Sequence, residues 1–415
     1  MTNQNIQIKN KMICEFGSFL IALSLILDCR PIWGSITTSG NLRLFTFIGL
    51  IIGIFLSFIS ARNIQISKYA INIFFFLGIY IFIYLMQPSN NLQLANGILI
   101  EVSFLSIYMY IIVFFETHVM SLVIRYYINL LVLISMVSLF FWIFGSILKI
   151  IKPTGLVLST WGTQYGKATA VNSYYNIYFE TQSLNNIIRN SAIFTEPPMA
   201  SLNFLIAFIF QILVNKNDKY HLVKEIILIL GILSTMSSTG YIALLIIFLF
   251  RSIFGKYKNK EFLLPVILIL SVISVIVIHY LFISKLENAS GQTRADDFKA
   301  GYEAWKLHPY MGSGLNNNIY QNFMANWRRN NLGLSNTIMD VLVSGGIYMF
   351  VPYLISIIYS ITVSLRKYDL DSIILVTIIV YLFITTIFTN TYILFFLFIF
   401  MVVNSNYQNK LSFDN

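Results

Sequence analysis

The stretch 44–60, LFTFIGLIIGIFLSFIS, carries no charged residue from end to end. An apolar run of about 17 to 25 residues can cross roughly 30 Å of hydrocarbon as a helix, because a helix satisfies its own backbone N–H and C=O groups. Comparable runs recur on both sides of it. They place about twelve spans, near residues 16–34, 44–60, 69–86, 97–115, 122–148, 197–214, 222–237, 239–254, 262–283, 336–362, 372–388 and 391–404. Many are rich in Phe, Ile and Leu, with Tyr and Trp near their ends, as an aromatic belt requires. The chain as a whole is 57% hydrophobic and only 11% charged, with a mean hydropathy of +0.75. That leaves too little polar surface to cover a soluble domain. The expected fold is therefore an all-α integral membrane bundle.

The net charge of +10 does not point to nucleic acid, because the basic residues sit in short clusters between apolar runs, where they set topology. With the N-terminus inside, Lys9/Lys11, Arg62/Lys68, Lys216/Lys219/Lys224, Arg251/Lys256/Lys258/Lys260, Arg366/Lys367 and Lys410 all fall on the cytoplasmic side. The short loops opposite hold little beyond Arg30 and Arg43. Both termini are then expected in the cytoplasm, with two long polar segments outside a cytoplasmic (inner) membrane. The resulting organisation is 1–148 N-terminal spans, 149–196 first external loop, 197–283 central spans, 284–335 large external loop and 336–415 C-terminal spans with a short tail. Cys14 and Cys29 are too few for a disulfide framework and lack metal-ligand spacing. The polar start followed by Lys9, Lys11 and an apolar run without a small-residue cleavage site reads as a retained first helix.

Long loops that carry no span are usually functional or disordered, and these two contain Trp, Tyr, Gly-Pro punctuation and patterned charge, so the chemistry is expected there. In the second, residues 292–307 read as an amphipathic helix lying on the membrane surface or over the spans. Ala295, Phe298, Tyr302 and Trp305 form its apolar stripe. Thr293 with Asp296 resembles a capping box, and Pro309 ends the helix. Arg294 in the first turn would oppose the helix dipole; it either pairs with Asp296 or Asp297 or forms an anion site. Next comes His308-Pro309-Tyr310-Met311-Gly312-Ser313-Gly314, with glycines that permit close backbone approach, though Pro-x-x-Gly-x-Gly alone is only a turn. Arg328 and Arg329 then precede Leu334-Ser335-Asn336-Thr337 and a span that opens with Asp340 and contains Gly345-Gly346. In the first loop, Arg189 lies seven residues ahead of Glu196, and Pro197-Pro198 mark a helix start. Glu196 there is either a simple cap favoured by the dipole or a functional carboxylate.

In this order the segments resemble the O-antigen polymerase and O-antigen ligase family, and within it the capsule and O-antigen (Wzy-type) polymerase branch. The resemblance rests on Arg189 ahead of Phe194–Pro197, the small-polar run 234–240, and Arg294 in an external helix with Trp305. His308–Gly314 and the Ser335-Asn336-Thr337 entry to a Gly-Gly span complete it. It covers roughly residues 185–350; the N-terminal half matches only in being hydrophobic. It implies a bundle related to the family C glycosyltransferases and a donor glycan linked through pyrophosphate to a polyprenol. The implied acceptor is another lipid-linked repeat unit, with a chain-length regulator and a flippase as implied partners. It further implies phosphate-binding and catalytic roles for Arg189 and Arg294. Family members often carry a His where this chain has Ser335; in ligases that His is thought to activate the acceptor, so its absence weighs against the ligase reading.

The chemistry suits the setting. Outside the cytoplasm there is no nucleotide-sugar pool, so a lipid pyrophosphate supplies the leaving group already attached to the glycan. Its departure builds charge on phosphate oxygens that arginine forks hold bidentately, and no cofactor is expected. Asp296-Asp297, lacking further carboxylates nearby, reads as a solvated helix face rather than a metal site. The acceptor hydroxyl needs a proton acceptor, for which Glu196, Asp296, Asp340 and, more weakly, His308 are available. Arg189, Arg294 and Glu196 are thus the expected catalytic residues. Trp305, His308, Gly312, Gly314, Arg328, Arg329, Asn336 and Asp340 are the expected substrate-binding ones. A ligase of the same family and a flippase for lipid-linked sugars remain competing readings. Transporters, however, keep their binding groups near the midplane between repeats, not in large Arg- and Trp-bearing loops.

Overall fold

The structure, a computed structural model, describes residues 7–36, 42–64, 66–87, 94–161, 168–184, 186–213, 219–254, 289–315, 317–328 and 332–406. The expected span 262–283 lies outside these. Twelve α-helices are formed among the described residues, in chain order α1 (Lys11–Leu27), α2 (Leu42–Ser60), α3 (Lys68–Leu85), α4 (Leu94–Phe114), α5 (His118–Phe141), α6 (Pro197–Leu213), α7 (His221–Ser234), α8 (Ser238–Phe254), α9 (Ala289–Leu307), α10 (Thr337–Arg366), α11 (Leu370–Thr385) and α12 (Tyr392–Asn406). Five stretches are long and apolar enough to cross a membrane: α2, α3, α4, α5 continued through its π-helical end to Ile147, and α10. Shorter apolar helices, among them α6, α11 and α12, pack between them. The first helix begins and ends earlier than 16–34, because Asn10 accepts the Ile13 N–H as its N-cap and Asp28 closes the other end.

Helices α6 and α12 are apolar on every face and buried along nearly their whole length. A helix without a polar stripe belongs in the middle of a bundle, and these two form its centre, with Phe210 against Phe396 and Phe400. The last two expected spans are the separate helices α11 and α12. Between them Asn390 adopts a left-handed backbone and the Asp28 carboxylate accepts the Tyr392 N–H at 2.8 Å.

The fold is not purely helical. The first long loop folds into a three-stranded antiparallel sheet, strands Gly155–Ser159, Thr169–Tyr174 and Tyr178–Glu180, with a small hairpin of Ser183–Leu184 and Ile187–Ile188 after it. The Glu180 carboxylate fixes the sheet to the end of α5 by accepting from Ser146 Oγ (2.7 Å), Asn172 Nδ2 (2.7 Å) and Tyr174 Oη (2.9 Å). The strands are only a few residues long and lie within a segment that has no clean period-two pattern, so periodicity could not announce them.

Helix α10 is broken. Gly346 has φ +59° and ψ −159°, which divides the helix inside one continuous apolar run. The carbonyls of Val343 and Ser344 and the N–H groups of Ile347 and Tyr348 are served from outside the helix, as buried backbone groups must be.

Candidate functional site

The segment 189–196 joins the sheet to α6. Its residues are tied on three sides. Asn190 Nδ2 donates to Ser138 Oγ on α5 (3.0 Å) and to Ser234 Oγ at the end of α7 (2.9 Å), while Ser191 Oγ donates to Phe179 O in the sheet (2.7 Å). The third side is the loop after α1. Ile32 N donates to Ile193 O (2.9 Å), and Thr195 donates through both N–H and hydroxyl to Arg30 O (3.1 and 3.2 Å). Helix α6 starts at Pro197, as its proline signal requires. Glu196 serves that start through its carbonyl, which accepts from Met199 and Ala200. Its carboxylate takes no hydrogen bond among the described residues, so Glu196 is not a side-chain cap.

Arg189 reaches across to the α7–α8 junction. Its Nε donates to Thr235 O (3.0 Å), Nη2 to Met236 O (3.2 Å) and Nη1 to Gln182 Oε1 (3.2 Å). Carbonyls at a helix C-terminus are orphaned and carry partial negative charge, which is why a cation settles there. The same junction presents Thr239, whose hydroxyl receives Arg294 Nη2 at 3.3 Å. Two arginines far apart in the chain thus arrive at one short turn, 235–239. Burial pushes both guanidinium groups down from their ordinary value, yet each stays a cation. Burial pushes the Glu196 carboxyl up, opposed by the nearby charges of Arg30, Arg294 and Arg189. Arg30, from the loop after α1, had no place among the expected site residues, since a lone loop cation carries no signal in sequence.

The helix bearing Arg294 differs from expectation in three ways. It begins at Ala289, so Thr293 and Asp296 form no capping box and Arg294 is beyond the first turn. Its buried side is Asp297, Ala300, Gly301 and Ala304, while Ala295 and Tyr302 of the expected stripe are exposed. Most importantly, Asp296 and Asp297 are not a solvated face. Asp297 is 0% exposed and Arg328 7%, and the two are paired. Asp296 lies 3.3 Å from the same Arg328 Nη1 and accepts the Ala325 N–H at 3.2 Å. Asp297 also accepts the Ser335 N–H at 3.1 Å. An isolated buried carboxylate would be costly, whereas a paired and hydrogen-bonded one persists. Arg328 therefore locks α9 to the chain ahead of α10. It takes the partners that would otherwise have occupied Arg294, leaving Arg294 to face the junction.

The turn 308–314 docks on the break in α10. Ser313 N and Gly314 N donate to Val343 O (2.8 Å) and Ser344 O (3.0 Å), while Ile347 N and Tyr348 N donate back to Pro309 O and Tyr310 O (both 2.9 Å). Gly312 has φ +72°, and a Cβ on it would stand 2.5 Å from Gly345 N. The close approach its sequence foretold is made to protein backbone. Trp305 Nε1 donates to Pro309 O (3.0 Å) and buttresses this turn; His308 is exposed. Asn336 is the N-cap of α10, accepting the Met339 N–H at 2.9 Å. Asp340, one turn on, faces Thr389 and lies within the field of Arg30. Arg329 lies outside the described residues.

The fold is that of a multi-pass, largely helical membrane protein. Residues 226–354 match the family described as O-antigen ligase, which supports assignment to the O-antigen polymerase and ligase proteins and, broadly, to glycan transfer in a membrane. The match covers less than half of the chain. It includes Arg294, the 308–314 turn, Arg328 and Asp340, and excludes Arg30, Arg189 and Glu196. No curated protein matches the chain.

Proposed function

We propose that the chain is a polysaccharide polymerase. It transfers a glycan from a polyprenyl pyrophosphate to the non-reducing end of another lipid-linked repeat unit, at the outer face of the cytoplasmic membrane. The observation that carries the reading is the convergence of Arg189 and Arg294 on the 235–239 junction beside Glu196. Arg294 makes one hydrogen bond among the described residues, so most of its five donors stay available to an anion. In this reading the acceptor hydroxyl oxygen attacks the anomeric carbon as its proton passes to the Glu196 carboxylate. The glycosyl–phosphate bond breaks, and its electron pair leaves on the pyrophosphate, where Arg294 and Arg189 meet the new charge. Ser335 favours the polymerase over a ligase: a hydroxyl in place of the family's frequent His cannot act as that base, and the residue's backbone N–H is held by the Asp297 carboxylate.

The test is elongation by purified protein given lipid-linked repeat units, monitored as a ladder on a gel. Arg189→Ala and Arg294→Ala are each expected to abolish the ladder while the protein still inserts and folds, and Arg→Lys to impair it, because a point charge cannot reproduce the planar fork. Normal polymer from both alanine variants would sink the proposal. Transfer of finished glycan to a different acceptor, without a ladder, would favour the ligase.

A further inference from the structure

The loop after α1 lies outside the matched segment, yet its Arg30 is fastened to the chain just ahead of Glu196. Its backbone is left-handed, φ +53°, a region that a non-glycine residue enters at a cost and that clusters at ligand-binding positions. The flanking chain is fastened by the bridge Pro31↔Phe194 and by the two Thr195 hydrogen bonds to Arg30 O, so Arg30 is placed by the residues just ahead of Glu196.

Its side chain is not used up by the fold. Among the described residues the guanidinium makes no hydrogen bond and no ion pair; it sits over the Trp161 ring, 5.2 Å to the centroid. This contrasts with Arg189, which has three hydrogen bonds, and with Arg328, held by two aspartates. Arg43, in the same region, reaches Asn390 O. The carboxylates that feel Arg30 are Asp28, Glu196 and Asp340, and none is close enough to pair with it. A fork with five donors, set over an aromatic face and acting with Arg189 and Arg294 on the same carboxylate, Glu196, is arranged to receive a planar or tetrahedral oxyanion.

We propose that Arg30 is a third substrate-binding arginine, which closes on the pyrophosphate of a lipid-linked substrate opposite Arg189 and Arg294. The inference rests on the function proposed above and adds a residue from outside the matched segment. It also assigns Trp161 as the platform that holds the guanidinium in line.

The experiment uses the full-length chain in lipid nanodiscs with Arg30→Gly and Arg30→Asn, the two residues that best tolerate a left-handed backbone, so that loss of the cation is not confused with loss of the fold. Elongation is measured against donor concentration with a lipid-linked acceptor and with a water-soluble acceptor glycan that has no pyrophosphate. Binding of glycan-free polyprenyl pyrophosphate is monitored by Trp161 fluorescence, with Trp161→Phe as the signal control. Both Arg30 variants are expected to raise the donor KM by about tenfold or more, the size of one charge-assisted hydrogen bond, with weaker pyrophosphate binding and a smaller change in kcat. An effect seen only with the lipid-linked acceptor would place Arg30 on the acceptor's pyrophosphate instead of the donor's. Wild-type KM and binding in both variants, while Arg189→Ala and Arg294→Ala abolish elongation, would overturn the role of Arg30 and leave the polymerase reading intact. Normal elongation in those alanine variants would instead overturn that reading, and the fluorescence titration would then decide Arg30 alone.

Discussion

Replacing Asp297 by Ala should loosen α9 and, with it, Arg294. The Asp297 carboxylate is fully buried against Arg328 and also accepts the Ser335 N–H, so its removal leaves the buried guanidinium with Asp296, at 3.3 Å, as its remaining carboxylate. Breaking one side of a buried pair costs about 3–5 kcal/mol; with Asp296 still on Arg328 the low end applies, which at about 1.4 kcal/mol per decade is roughly a hundredfold change in an opening equilibrium. The loss falls on the lock between α9, the turn at 325–328 and the entry to α10, not on the central helices α6 and α12. Hydrogen exchange read by mass spectrometry should therefore show α9 amides exchanging faster by roughly that factor, with α6 unchanged. Elongation should fall in parallel, because Arg294 lies on the same helix, one turn ahead of Asp297. The double change Asp297→Leu with Arg328→Met should recover part of the protection, since an apolar pair of similar volume carries no desolvation cost, while Asp296 loses its cation and keeps the Ala325 N–H. Exchange of α9 in Asp297→Ala within about a factor of ten of wild type would refute the argument that this pair holds the helix.

Gly312→Ala should destabilise the docked turn by about 3 kcal/mol, combining a left-handed alanine with overpacking against Gly345. A thermal midpoint within about a degree of wild type would contradict the docking. The Glu196 carboxyl is pushed up by burial, and if it acts as the base, elongation should fall as pH drops through a value above the ordinary carboxylate range. Because the charge of Arg30 lowers that value, Arg30→Gly should move the acid limb to higher pH, and an unmoved limb would separate the two residues. A carboxyl raised on folding stabilises the protein below its unfolded value, and that contribution is lost as pH rises through the folded one. Glu196→Gln should therefore melt higher than wild type near neutral pH and lose that advantage in acid, as read by thermal midpoints across pH.

Local pattern alone dictated part of this protein. Uncharged runs such as 44–60 form helices in a membrane whatever their neighbours, because a bilayer offers backbone groups no other partner. Pro197 marks the start of α6 because its missing N–H is harmless only there, and the order of Arg189, Arg294 and the 308–314 turn pointed to the matched family. Which charges remain available was settled instead by how distant segments meet. Asp296 and Asp297 look solvated in a polar helix, and only Arg328, far along the chain, turns them into a buried lock. Arg30 looks like a loop cation until Thr195 fastens its carbonyl beside Glu196. Gly345-Gly346 is a small-residue step in an apolar run until the 308–314 turn supplies the bonds that its break requires. In each case the deciding partner is remote in sequence, and its effect is a desolvation or hydrogen-bonding term that exists only once the two segments are in contact.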